Sequence, residues 1–239
     1  LALESSYVKA HNNLGIIYKE LGKMADAVKS YEQAIALQPG FAEAHNNLGI
    51  TFQELGQLDE AVKCYEEALV IQPDYIEVLN NHGNTLKLLG QTDEALNSYK
   101  QALSINPDYA DAHNNIGIIY HEMGQFDEAI KCYKKVIAIK PEHAEAHNNL
   151  GVTLNKLTQF HEAINSYEQA LAIKPDYAVA HNNLGLTLVE LGRPDAALKS
   201  YEKAIAIKPD FDEAYRNLGG VMLCLKRLDE AMTSFERAL

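Results

Sequence analysis

Seven asparagines stand 34 residues apart: Asn13, Asn47, Asn81, Asn115, Asn149, Asn183 and Asn217. A primary amide offers donors and an acceptor. A row of them can therefore pair with the peptide units of an extended chain whatever that chain's side chains are. Asn12, Asn46, Asn80, Asn114, Asn148 and Asn182 directly precede the first six, and Arg216 precedes the seventh. Asparagine is a mediocre helix former, because its amide competes for local backbone hydrogen bonds, so this register asks for a reason. One is a ladder that binds polypeptide backbone. The other is a set of ties between neighbouring helices, and the two can coexist. For the leading asparagine of each pair the two weigh equally. Three residues past a ladder asparagine stand Ile16, Ile50, Ile118, Val152 and Leu186. They suit either the apolar floor of a peptide groove or packing between neighbouring helices.

Other reactive residue types repeat without making a site. His11, His45, His113, His147 and His181 share one register. A zinc ion needs ligands about 2 Å away, whereas stacked helices lie about 8–10 Å apart, so these read as packing residues. His143 and His147 are four apart, but they span the turn into a helix and have no third ligand. Cys64 and Cys132 sit where other repeats carry Ser, too far apart to pair, and with Cys224 they form no CxxC. There is no phosphate loop and no Ser/His/Asp set that is not simply the repeat. The expectation is a non-catalytic chain with no metal and no cofactor.

What must position the asparagines is a repeat. Pro39, Pro73, Pro107, Pro141, Pro175 and Pro209 keep the same interval of 34. So do a glycine series from Gly15 to Gly219, an alanine series from Ala27 to Ala231, and Tyr31, Tyr65, Tyr99, Tyr133, Tyr167, Tyr201 and Phe235. A fixed period of this size marks a solenoid of stacked units. With Pro at unit position 32, the full copies are 8–41, 42–75, 76–109, 110–143, 144–177 and 178–211, and 212–239 is an incomplete seventh. Each unit reads as two helices. In 144–177 the first runs from Ala144 to about Leu157, with its apolar or small positions on one face. Glycines such as Gly22, Gly56 and Gly124 suit its end, pairs such as Asp59-Glu60 suit the start of the second, and Pro ends the second. Thr158 replaces that glycine in the fifth copy. Pro194 falls in a first turn, where it is tolerated. The small residues at positions 8, 20 and 27 let helix axes approach closely.

This pattern resembles the tetratricopeptide repeat (TPR) family over the whole chain. The resemblance implies an all-α solenoid, a right-handed superhelix of antiparallel helix pairs whose first helices line the concave face. The asparagines at positions 5 and 6 and the aliphatics at position 9 lie opposite that helix's core face. The repeated HNNLG is similar to the TPR superhelix of O-GlcNAc transferase and of SPINDLY-type transferases, where an asparagine ladder holds the substrate backbone. Carried over, that role falls on Asn13, Asn47, Asn81, Asn115, Asn149, Asn183 and Asn217. Nothing matches the catalytic domain of those families. A second TPR class grips a C-terminal carboxylate through Lys and Arg. Here those slots hold Glu43, Glu77, Asp111, Glu145 and Glu213 or asparagine, and only Lys9 and Arg216 are basic.

The chain of 239 residues has 21 Lys+Arg against 33 Asp+Glu, a net charge of −12. That excludes nucleic acid, whose affinity comes mostly from neutralising phosphates, and favours extended protein segments that are neutral to basic. No apolar run approaches the ~18 residues of a membrane span. The odd cysteines fit a reducing compartment, cytoplasmic or nuclear. Three functions remain open: a protein-interaction scaffold, the substrate-recognition arm of an O-glycosyltransferase, and a self-association module. Leu1 is not a start Met, and residues 1–7 align with the end of a repeat. A longer array is therefore expected, with an uncovered last helix available for end-to-end contacts.

Overall fold

The structure is a computed structural model that describes residues 2–239, with side chains described from Tyr7 onward. Among the described residues there are fourteen helices and no strand. They are α1 (Ala2–Glu20), α2 (Met24–Leu37), α3 (Ala42–Glu54), α4 (Leu58–Ile71), α5 (Ile76–Leu88), α6 (Thr92–Ile105) and α7 (Ala110–Glu122). Then come α8 (Phe126–Ile139), α9 (Ala144–Lys156), α10 (Phe160–Ile173), α11 (Ala178–Glu190), α12 (Pro194–Ile207), α13 (Asp212–Cys224) and α14 (Leu228–Arg237). None of the described helices is long and apolar enough to cross a membrane. The chain divides into two compact units, residues 1–115 and 116–239.

Every repeat from 42 onward places its first helix at positions 1–13 and begins its second at position 17. A residue in the left-handed region makes the turn between them. Glycine fills it in five cases, with φ of 71° to 76°; Thr158 (57°) and Lys226 (60°) are the exceptions. The second helix opens with acids in its first turn, such as Asp59 and Glu60, and ends two residues before the prolines. Pro194 sits in the first turn of α12, as its sequence position predicts.

The opening residues depart from the sequence reading. Leu1 lies outside the described residues, and residues 2–7 are not the end of a second helix. They run straight into α1 as one helix of 19 residues. Their sequence carries Ser5 where the other repeats carry proline. With no proline ring to clash with the preceding turn and no missing N–H, nothing breaks the helix there.

The core is built from tyrosine against glycine. Tyr31, Tyr65, Tyr99, Tyr133, Tyr167 and Tyr201 are all at most 2% exposed. Each ring lies on the position-8 glycine of its own repeat, so a Cβ at Gly49 would meet Tyr65 Cε1 at 2.7 Å. Alanines at positions 20 and 27, such as Ala61 and Ala68, are fully buried beside the rings. The small residues thus make room for a ring as well as for close helix axes.

Candidate functional site

The paired asparagines behave as a linked set. The trailing asparagine of one repeat donates Nδ2–H to the Oδ1 of the leading asparagine in the repeat before. In the first unit this joins Asn47 to Asn12 at 3.0 Å, Asn81 to Asn46 at 3.2 Å and Asn115 to Asn80 at 2.9 Å. In the second it joins Asn183 to Asn148 at 3.0 Å and Asn217 to Asn182 at 2.9 Å. The position-2 acids add to this at two rungs, where Asn12 donates to Glu43 and Asn182 to Glu213.

The two asparagine series therefore differ in exposure. The leading residues Asn12, Asn46, Asn80, Asn114, Asn148 and Asn182 are all 9% exposed or less. Asn12, Asn46, Asn80, Asn148 and Asn182 tie one repeat to the next, which is one of the two roles the sequence left open for this series. Burial takes their amides out of reach, and Asn114 Oδ1 is buried with no hydrogen-bond partner. The trailing residues stay accessible: Asn13 is exposed, and Asn47, Asn81, Asn115, Asn149, Asn183 and Asn217 are half-buried. Each linked amide spends Nδ2 on the tie, with Asn115 Nδ2 also donating to Asn84 Oδ1 at 2.9 Å, and keeps its Oδ1; Asn149, which makes no such tie, accepts through Oδ1 from Asn148 at 3.3 Å.

The aliphatics at position 9 do both things their sequence allowed. Ile50 packs against the cluster around Tyr65, and Ile118 and Val152 against that around Tyr133 and Tyr167, while all three stay half-exposed. Leu186 is 37% exposed. In the second unit they floor two open cavities on the first-helix face. One, of about 210 Å³, lies between α7 and α9 over Ile118 and Val152. The other, of about 340 Å³, lies between α11 and α13 over Leu186.

A second polar line is absent from the sequence reading. Thr51, Thr85, Thr153 and Thr187, at position 10, are fully buried and donate to the backbone carbonyl of their repeat's trailing asparagine. The position-12 side chain of the preceding repeat meets the same hydroxyl: Gln53 at Thr85, His121 at Thr153 and Asn155 at Thr187. The Tyr65 hydroxyl joins this line by donating to Gln53 at 3.2 Å. Threonine is a poor helix former, and its recurrence in a helix interior is the signal that could have found the line.

The histidines have a shared task. Nε2 of His45, His113, His147 and His181 bonds the carbonyl oxygen of Pro39, Pro107, Pro141 and Pro175 respectively, at 2.9–3.0 Å. Each pins the turn that ends the previous repeat. His143 caps α9 by accepting from the Ala146 N–H at 3.1 Å, which accounts for its spacing from His147. No group of three metal-ligating side chains occurs among the described residues. Burial pushes the Cys64 and Cys132 thiols up to about 11, so neither is a thiolate at neutral pH.

Comparisons with known proteins agree with this architecture. Models of the tetratricopeptide repeat match residues 42–75, 108–176, 142–210 and 182–239, and a model described as TPR repeat matches 15–56 and 83–124. A crystal structure of MamA is 31% identical, covers 65% of this chain and 91% of its own, and has a TM-score of 0.60. A tetratricopeptide repeat protein from Parabacteroides merdae ATCC 43184 is 19% identical, covers 98% of this chain and 92% of its own, and has a TM-score of 0.78. YrrB, described as a TPR protein with an unusual peptide-binding site, is 21% identical, covers 84% of this chain and 100% of its own, and has a TM-score of 0.62. No curated protein matches the chain.

Proposed function

The chain belongs to the tetratricopeptide repeat family, whose fold is a scaffold for protein–protein interaction, and we propose that its first-helix face holds an extended polypeptide by the backbone. One observation carries this reading. Asn47, Asn81, Asn115, Asn183 and Asn217 are half-exposed amides, each tied through Nδ2 to the repeat before it and each with Oδ1 left over. An amide pinned in this way has lost its rotamer freedom before a ligand arrives, so binding costs less entropy. The free oxygen accepts a peptide N–H, which every residue but proline supplies. First helices of neighbouring repeats put such oxygens about 10 Å apart, roughly three residues of an extended chain. The half-buried Ile50, Ile118 and Val152 and the exposed Leu186 give apolar contact beneath that chain. The net charge of −12 favours a neutral to basic partner. YrrB, a TPR protein with an unusual peptide-binding site, is consistent with this use of the fold.

The test uses a dye-labelled pool of degenerate decapeptides, with the same pool N-methylated along its backbone. Removing one asparagine of a rung orphans its buried partner, so both are removed together. Asn148→Ala with Asn183→Ala leaves nothing unpaired, and the pair Asn46→Ala with Asn81→Ala does the same in the first unit. The expected result is weaker binding of the plain pool to both variants at unchanged helicity, and no binding of the methylated pool. Equal binding of plain and methylated peptides overturns the reading.

A further inference from the structure

The cavity between α7 and α9 has a core tyrosine in its lining. Tyr133 is 2% exposed, and no side chain among the described residues hydrogen-bonds its hydroxyl. In the second and third repeats the equivalent hydroxyl is held, by Gln53 on Tyr65 at 3.2 Å and by Asn84 on Tyr99 at 2.8 Å, whereas Tyr201, which lines the cavity over Leu186, faces Val189 and Val221 in the corresponding slots. Thr153 gives its own hydrogen to the Asn149 carbonyl at 2.8 Å, so the contact of 2.9 Å with His121 Nδ1 is a bond that the imidazole N–H donates. His121, tilted against Phe126 with ring centroids 5.4 Å apart, thus holds Thr153.

The rest of the lining has a defined chemistry. Ile118 and Val152 form an apolar floor, and the exposed carboxylate of Glu145 stands on the wall beside Asn149, with Glu122 also lining the cavity. Burial first, and then the neighbouring Cys132, Glu122 and Glu145, keep the Tyr133 hydroxyl protonated. Burial, followed by the charge of Lys156, favours neutral His121 over the opposing effect of Glu122. The site is a phenol oxygen and a carboxylate above two aliphatic side chains.

We infer that this cavity is a specificity pocket that takes one lysine or arginine side chain of the bound polypeptide. The alkyl stem lies on Ile118 and Val152, and the cationic head donates to Glu145 and to the Tyr133 hydroxyl oxygen. A charge-assisted bond of this kind is worth more than a neutral one in a partly desolvated site. The volume of about 210 Å³ admits one long side chain and not a folded element. The inference rests on the backbone-binding reading of the same face, because that is what presents a side chain to the cavity.

The experiment uses the whole chain and four dye-labelled decapeptide pools, each with one central position fixed as lysine, arginine, norleucine or glutamate. Norleucine keeps the stem and removes the charge. The lysine and arginine pools are expected to bind about fivefold or more tightly than the norleucine pool. That preference should shrink in Glu145→Gln and in Tyr133→Phe, while norleucine binding stays as in the parent. His121→Gln should shrink it too, because glutamine occupies the tyrosine hydroxyl as Gln53 does in the second repeat. Equal binding of all four pools, or a preference untouched by Glu145→Gln, overturns the pocket and leaves the backbone reading standing. Failure of every pool to bind overturns the backbone reading and the pocket with it.

Discussion

Replacing glycine by alanine inside a helix ordinarily stabilises it by about 1 kcal/mol, yet this fold predicts opposite signs at different glycines. A Cβ on Gly151 would lie 2.7 Å from Tyr167 Cε1 and 2.9 Å from both Cδ1 and Cζ. Carbon atoms rest comfortably about 3.5–4.0 Å apart, so the ring must retreat by close to 1 Å. It has nowhere to go, because Tyr167 is 2% exposed and packed among Leu150, Leu154 and Ala163. Overpacking of this kind costs about 1–3 kcal/mol, so Gly151→Ala should come out up to about 2 kcal/mol destabilising after the helix gain of about 1 kcal/mol. At Gly220, in the interior of α13, an added Cβ meets nothing within 4 Å. Gly220→Ala should stabilise by about 0.5–1 kcal/mol. Gly219→Ala falls between, since its nearest atoms are 3.0 Å away on Phe235, which is 38% exposed and free to swing. Urea unfolding followed by far-ultraviolet circular dichroism ranks the three. If Gly151→Ala is as stable as the parent, the ring-on-glycine account of the core is wrong. A double variant with Tyr167→Leu, which clears the space, should lose less than the sum of its single changes.

Thr158 holds a φ of 57° where five other repeats use glycine, and left-handed backbone costs a β-branched residue about 1–2 kcal/mol. Thr158→Gly should therefore raise stability by about 1 kcal/mol, with a smaller gain for Lys226→Gly; thermal melts that show no gain would contradict this. His82 stands where other repeats bury an aliphatic, its Nδ1 is 3.0 Å from Ser98 Oγ, and burial lowers its pKa below 6.5. The unfolded chain then binds a proton that the folded chain resists, so this stability is present above pH 6.5 and is lost as pH falls through the folded value. His82→Leu should flatten the loss in that window, as measured by urea midpoints near neutrality and near about pH 5. In α14 the apolar Leu228 and Met232 are 61% and 58% exposed; hydrogen exchange should find its amides less protected than those of α10, and equal protection would refute that.

The period, the helix pairs and their boundaries are legible in the sequence because proline and glycine act locally: Pro39 ends a helix and Gly22 turns the chain wherever they occur. The same rule explains the misreading at the start. Residues 1–7 match a repeat end at most positions, but Ser5 removes the one atom arrangement that stops a helix, and similarity elsewhere does not replace it. Site residues are less legible because their roles depend on which neighbour takes each hydrogen bond. Asn148 and Asn149 are identical in type and adjacent in sequence, yet one is buried and the other half-exposed. A turn of 100° per residue puts only one of them under the next repeat. The sequence allowed both a tie and a ladder, and the structure shows the tie: at five rungs the buried amide of one repeat accepts from the more exposed amide of the next. The Tyr133 cavity lies one step further from the sequence. It needs His121 at position 12 to hold the threonine of the next repeat, a contact 32 residues away. A glutamine in the same slot, as at Gln53, satisfies tyrosine and threonine together. Variation at one position within an otherwise regular register is thus what changes the hydrogen bonds from repeat to repeat.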